Sequence, residues 1–197
     1  MAAIVLVVDD EESVCDSLVT LLNHWGFGAT GVTSASELLS CNVHWDCSLI
    51  DVRMPQMDGL TALQKLRARG VSEPVVLMSG TGDVPTALRA FRLGASDFIE
   101  KPFRKELLLQ ALTRALSGEA EAAKEAADMR HRLRELSEHE REVLHDLVVG
   151  DRAIDIALRN HETVRAIELV RSRIFDKMAA PNLYSLVRMA VQLGIAA

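Results

Sequence analysis

Five times in the first 117 or so residues, a short apolar run rich in β-branched residues gives way to a stretch with apolar residues at helical spacing. The first run, Ile4–Val8, is apolar throughout, as expected of a strand covered on both faces. Val14, Leu18, Leu21 and Leu22 then mark a helix that ends near Gly26. Residues 28–33 supply a second strand, and Ser34-Ala35-Ser36-Glu37 is a capping box that opens the next helix. Residues 47–50 form a third strand running into Asp51, and Leu60, Leu63 and Leu66 a helix that stops at Gly70. Residues 75–78 are a fourth strand, and Asp83-Val84-Pro85 caps the helix that follows to about Leu93. A short fifth strand at 97–99 is closed by Lys101-Pro102, and a helix over 103–116 completes the unit. This alternation demands an α/β fold: a doubly wound, five-stranded parallel sheet with right-handed crossovers.

From about residue 118 the pattern changes. Gly118-Glu119-Ala120-Glu121-Ala122-Ala123-Lys124-Glu125-Ala126-Ala127 is rich in helix formers and poor in large apolar residues, as in a semi-rigid helical linker. Met129, Leu133 and Leu136 fall on one helical face, which either docks on a domain or pairs with a second copy. Ser137-Glu138-His139-Glu140 is a second capping box, and everything beyond it reads as helix. Val143, Leu144, Leu147 and Val148 form the stripe of one helix, ended by Gly150. A short helix over 151–159, a turn at Asn160-His161-Glu162, a helix capped by Thr163 and a last helix capped by Asn182 follow. The expected organisation is therefore 1–118, a linker at 119–136, and a small all-α four-helix domain at 137–197.

Charge is divided unevenly. Residues 1–120 hold 15 acids against 10 bases, whereas from Leu147 onward 5 acids face 7 bases. An acidic regulatory half joined to a weakly basic half suits a chain whose second part meets phosphate. No apolar run approaches the roughly 18 residues needed to cross a bilayer, which predicts a chain without membrane partners. The first residues run directly into Asp9-Asp10-Glu11-Glu12 and read as a strand rather than a signal peptide. Three cysteines without metal-ligand spacing, Cys15, Cys41 and Cys47, fit free thiols in a reducing cytoplasm.

Doubly wound sheets place their sites at the carboxyl ends of strands. Asp9 and Asp10 follow the first strand, Asp51 the third, Ser79 the fourth and Lys101 the fifth. Clustered carboxylates repel unless a cation neutralises them, and hard oxygen donors of this kind suit Mg²⁺. With the metal, Asp51 can attack a phosphoryl group; Lys101 supplies positive charge and Ser79 a hydroxyl donor. Gly80 and Gly82 let the backbone pass close to that group.

Three stretches carry a resemblance: Val7-Val8-Asp9-Asp10-Glu11-Glu12, Asp51-Val52-Arg53-Met54-Pro55-Gln56-Met57-Asp58-Gly59, and Phe98-Ile99-Glu100-Lys101-Pro102-Phe103. Together they resemble the receiver domains of two-component response regulators, which have a flavodoxin-like architecture. The resemblance implies that Asp51 accepts a phosphoryl group from a histidine kinase. It implies Asp10, Asp51 and the backbone carbonyl of Arg53 as Mg²⁺ ligands, with Asp9 acting through water. Ser79 stands at the family's switch hydroxyl and Phe98 at its rotating aromatic. The implied consequence of phosphorylation is that the surface around residues 84–99 becomes a homodimer face.

Leu136-Ser137-Glu138-His139-Glu140-Arg141-Glu142-Val143-Leu144 resembles the start of LuxR/FixJ-type output domains, and Leu186-Val187-Arg188-Met189-Ala190 resembles their end. This implies a helix-turn-helix whose third helix, 163–178, enters the major groove of DNA. Thr163, Arg165, Arg171, Arg173 and Lys177 are the expected DNA-contacting residues. The middle of the domain departs from the pattern. Ala153-Ile154 replaces the family's Asn-Lys, Asn160 its Leu, Glu162 its Ile, Ala166-Ile167 its Thr-Val, and Val170 its His.

The resulting expectation is a cytoplasmic transcriptional regulator controlled by aspartyl phosphorylation, with no reaction beyond its own phosphoryl transfer and hydrolysis. A protein-binding regulator whose helix-turn-helix no longer holds DNA is the alternative. A phosphatase built on the aspartates would need a substrate pocket or lid, and the short loops leave little chain for one.

Overall fold

The computed structural model describes residues 2–196. Contacts divide the chain into two compact units, one running to Gly82 and resuming over Leu93–Ser117, the other made of Asp83–Arg92 and the residues from Gly118 onward.

The first unit is built on a parallel sheet of β1 (Ile4–Val8), β2 (Gly28–Val32), β3 (Cys47–Asp51), β4 (Val75–Ser79) and β5 (Asp97–Glu100), in the order β2-β1-β3-β4-β5. Helices α1 (Glu12–His24), α2 (Ala35–Ser40), α3 (Gly59–Ala68) and α5 (Lys105–Ala115) connect and cover it, while α4 (Val84–Arg92) groups with the second unit. Period-2 alternation sends Val5, Val7, Leu49, Val76 and Met78 into a core shared with Leu18 and Leu22 of α1 and Leu108 and Leu112 of α5. Leu6, Ile50 and Leu77, pointing the other way, are also fully buried. Burial on both faces is why these strands read as continuous apolar runs rather than alternating ones.

Helix starts follow local chemistry. Ser34 accepts a hydrogen bond from the Glu37 amide, Asp58 from Thr61 and Asp83 from Thr86. The buried Asp97 carboxylate of β5 receives the Arg114 guanidinium of α5 at 2.5 Å, fastening that helix to the edge strand.

The second unit holds α6 (Glu119–Arg134), α7 (Glu138–Val149), α8 (Ala153–Asn160), α9 (Val164–Met178) and α10 (Leu183–Gln192). The linker stretch and the Met129 segment are thus one helix. Met129 and Leu136 are buried, α6 lies against α9, and Arg132 donates to the Met178 carbonyl, so the apolar face docks within its own unit. Val143, Leu144, Leu147, Ile156, Ile167, Val170, Ile174 and Leu186 form the shared core. Arg188 of α10 is buried and donates to Glu125 at 2.7 Å, pinning the linker helix to α10.

The capping box at Ser137 is complete, and it does more than start α7. Glu140, itself buried, accepts from the Ser137 amide at 2.8 Å and from Lys177 of α9 at 2.7 Å. The Lys177 bond, ahead of the backbone one, holds the Glu140 carboxyl below its usual range. A carboxylate depressed in this way contributes stability at pH values above its unfolded pKa. That contribution is lost as pH falls through the native value. Glu140→Gln is therefore expected to cost about 1–2 kcal/mol at neutral pH. The difference from the parent should shrink as pH drops below about 4, which denaturant titrations at several pH values would measure.

Candidate functional site

The strand order reverses between β1 and β3, and the site lies at that point, outside the carboxyl ends of the strands. Register does the positioning. Val8 sits opposite Ile50 and Asp51 opposite Met78, so Asp9 and Asp51 leave neighbouring strands side by side. Lys101, one residue past β5, is fixed by the hydrogen bond that its backbone amide donates to the Ser79 carbonyl at 2.7 Å. Its ammonium then reaches both acids: Nζ is 2.5 Å from Asp51 Oδ1 and 2.6 Å from Asp9 Oδ2. Asp51 is only 5 % exposed and Asp9 1 %.

The remaining oxygens are held by backbone. The Arg53 amide donates to Asp51 Oδ2 at 2.5 Å and the Glu11 amide to Asp9 Oδ1 at 3.2 Å. Burial pushes the Asp51 carboxyl above its usual range, ahead of the opposing pull of Lys101 and the Arg53 amide. Burial works against the charge on Lys101, but its two carboxylate partners outweigh it and raise the amine above its usual value. One ammonium thus stands between two carboxylates in a site that withdraws them from water.

Of the other expected residues, Ser79 is buried beside the pair at the end of β4, where its hydroxyl donates to the Thr81 carbonyl at 3.0 Å. Phe98 is buried on β5. Asp10 and the Arg53 side chain are exposed. Among the described residues, no three His, Cys, Asp or Glu side chains converge as a metal cage. Mg²⁺ does not require one: it is commonly held by one or two carboxylates while keeping several waters. The buried carboxylates of Asp9 and Asp51, side by side at the strand ends, are hard oxygen donors of the kind that ion takes.

Gly59 is a residue whose importance the spacing of acids does not reveal. A β-carbon there would stand 2.2 Å from the Asp51 carbonyl oxygen and 3.1 Å from the Val52 Cα. The loop after Asp51 closes because the Gly59 amide donates to the Val52 carbonyl at 2.9 Å, which needs that close approach. Gly59→Ala is expected to displace Asp51 and to cost about 1–3 kcal/mol through overpacking. Denaturant unfolding and phosphoryl uptake from acetyl phosphate would register the two effects separately.

The second candidate surface is α9 with the turn before it. Thr163 caps the helix by accepting from the Ala166 amide at 3.2 Å. Arg165 and Arg173 are exposed, and their side chains carry no ion pair or hydrogen bond among the described residues. Arg171 pairs with Glu168 at 3.4 Å and lies over the Phe175 ring. Lys177 is turned inward to Glu140 and to the Glu135 carbonyl. Asn160 ends α8 with its amide nitrogen buried and unpartnered, and Glu162 meets His139 at 3.0 Å at the surface instead of entering the core. Four large apolar side chains lie open on α8 and α9: Ile154 (49 % exposed), Leu158 (72 %), Val164 (42 %) and Leu169 (55 %).

A model of the response regulator receiver domain matches residues 5–113. The chain is 40 % identical over 195 residues to the transcriptional regulatory protein FixJ of Azorhizobium caulinodans, covering 96 % of this chain and 92 % of that one. It is 37 % identical over 196 residues to FixJ of Bradyrhizobium diazoefficiens, covering 97 % and 96 %. Crystal structures of full-length FixJ from B. japonicum match 98 % of this chain and 97 % of theirs at 36 % identity, with a TM-score of 0.55. Among the described residues no helix is long and apolar enough to cross a membrane.

Proposed function

Because the chain belongs to the two-component response regulators of the FixJ type, we propose that a histidine kinase phosphorylates Asp51 and that the phosphorylated chain controls transcription as a DNA-bound homodimer in the cytoplasm. The observation carrying this reading is the pair of buried carboxylates, Asp51 and Asp9, held around Lys101 at the switch point of the sheet.

Asp51 is the nucleophile, its oxygen bonding to phosphorus as the bond from phosphorus to the kinase histidine nitrogen breaks and the imidazole leaves. The Arg53 amide orients one of its oxygens, and its partly desolvated carboxylate is a better acceptor than one fully in water. Lys101 holds a fixed positive charge beside the oxygens that gain negative charge. Ser79 exchanges its bond to the Thr81 carbonyl for one to the phosphoryl group, and Phe98 repacks behind it. Asp10, Asp51 and the Arg53 carbonyl would hold Mg²⁺, with Asp9 acting through water, and the ion would supply charge neutralisation for the incoming phosphoryl oxygens. The chain turns over no other substrate.

On the output side, α9 is the helix proposed to enter the major groove. Arg165 and Arg173 are its bases open to phosphate or guanine edges, Thr163 caps its start, and Arg171 lies alongside. Lys177 serves by holding α9 on α7. The exposed Ile154, Leu158, Val164 and Leu169 favour a second reading, in which this face binds a protein.

Fluorescence anisotropy of the full chain on a pool of genomic fragments, with and without Mg²⁺ and a phosphoryl mimic, across a salt series, separates the two. DNA binding that strengthens with the mimic and falls steeply with salt supports the first reading, because phosphate contacts release counterions. Arg165→Ala and Arg173→Ala should then each flatten the salt dependence by about one counterion. An absence of DNA binding in a chain that takes up the mimic supports the second.

A further inference from the structure

Burial divides α9 into two faces. Ile167, Val170, Ile174 and Met178 are turned into the core, which leaves Arg165, Leu169, Ser172 and Arg173 exposed on the opposite side. Leu169 is 55 % exposed. A leucine in solvent signifies little by itself, but the setting of this one is specific. Arg165 stands one turn before it and Arg173 one turn after, so the three form a single stripe along the helix. Neither guanidinium carries an ion pair or hydrogen bond among the described residues, whereas the other bases of α9 beyond its first turn, Arg171 and Lys177, are held by Glu168 and Glu140. An apolar side chain bracketed by two unpaired cations suits an apolar protein groove poorly, because both charges would lose water without gaining a partner. It suits a DNA major groove well. Phosphates line the rims of that groove, and the thymine methyl is the apolar group that the bases present on its floor.

We propose that Leu169 reads the methyl group of a thymine, making a T·A pair a base-specific element of each half-site, while Arg165 and Arg173 set the helix on the phosphates. That role rests on α9 being the helix that enters DNA, and it adds the base that the helix recognises. Four residues of helix advance about 6 Å, and successive phosphates of one strand are about 3.4 Å apart along the duplex. With Arg165 and Arg173 both drawn to the backbone, Leu169 midway between them faces one or two base pairs. Asp176 is exposed on the same side near the end of α9, and its carboxylate is repelled by phosphate. The beginning and middle of the helix therefore go deepest, with Leu169 among the leading residues.

The test starts from duplexes selected out of a randomised library by the full-length protein loaded with Mg²⁺ and beryllofluoride. Each thymine of a selected duplex is then replaced in turn by deoxyuridine, which pairs identically and lacks only the methyl group. Fluorescence anisotropy should show affinity falling about threefold to fivefold at one thymine per half-site and unchanged elsewhere. In Leu169→Ala that penalty should vanish, while the salt dependence stays that of the parent. Arg173→Ala should do the reverse, weakening thymine and deoxyuridine duplexes alike and keeping the penalty. Leu169 lies outside the core, so circular dichroism of Leu169→Ala should match the parent. Salt-dependent DNA binding that tolerates deoxyuridine at every position, or a penalty that persists in Leu169→Ala, would overturn the role of Leu169 and leave DNA binding by α9 intact. A beryllofluoride-loaded chain that binds no duplex even at low salt would overturn both.

Discussion

Asp51→Asn is expected to abolish phosphoryl uptake while leaving the protein as stable as its parent or more so. The amide keeps the shape of the carboxylate and its oxygen still accepts from the Arg53 amide, which stands 2.5 Å away, while its NH2 group faces the Lys101 ammonium, which withdraws toward Asp9. It removes the attacking oxyanion, so mass spectrometry after incubation with Mg²⁺ and acetyl phosphate should find no phosphorylated chain. The stability expectation follows from the sign of the shift. Burial raises the Asp51 carboxyl, so its ionised form at neutral pH is a cost to the fold. That cost sets in as pH rises past the ordinary carboxylate value, and the neutral amide is free of it. Lys101 keeps Asp9 as partner at 2.6 Å. Lys101→Ala should behave in the opposite way. It strands two buried carboxylates and should cost about 3–5 kcal/mol unless Mg²⁺ is added. Denaturant unfolding of both variants, with and without Mg²⁺, reads this contrast. An Asp51→Asn chain that still took up phosphoryl from acetyl phosphate would remove the central claim about the site.

The receiver half is legible in the sequence because two constraints coincide. Parallel strands covered on both faces read as uninterrupted apolar runs, and the topology fixes where their ends lie. Asp9, Asp51, Ser79 and Lys101 could therefore be placed together from spacing alone, and Asp9, Asp51 and Lys101 do meet within hydrogen-bonding distance. Strand ends move by a residue where a polar side chain is held inside the ladder: Asp51 and Ser79 are the last residues of β3 and β4, not the first of a loop. The output half is less legible because its determinants are long-range pairs between helices. Basic residues on an amphipathic helix suggest phosphate contacts, yet Lys177 is drawn to Glu140, 37 residues earlier. Glu140 itself reads as an ordinary capping acid. Nothing local to the alanine-rich linker foretells that Glu125 meets a buried arginine of α10. Asn160 and Glu162, polar at positions the family fills with apolar residues, are accommodated by ending α8 at Asn160 and by turning Glu162 out to His139.

A comparable long-range pair gives the largest expected stability effect away from the aspartate cluster. Asp97 and Arg114 join β5 to α5, and their environments differ: the Asp97 side chain is almost wholly buried, whereas Arg114 reaches partly into solvent. Removing one partner of a buried pair penalises whichever charge is left behind. In Arg114→Met the remaining charge is the buried carboxylate, whose other hydrogen bond among the described residues comes from the Phe98 amide at 2.8 Å. In Asp97→Asn it is a guanidinium that can turn to water. Arg114→Met is therefore expected to destabilise by about 3–5 kcal/mol and Asp97→Asn by roughly 1–2 kcal/mol. The double variant should recover much of the loss, because no charge then remains buried. Phe98 follows Asp97 directly, so loosening this pair also loosens the strand that carries the aromatic. Denaturant unfolding of the two single variants and the double forms a complete cycle. Additive losses would mean that Asp97 and Arg114 act independently, and would dissolve the claim that α5 is fastened to β5 by this pair.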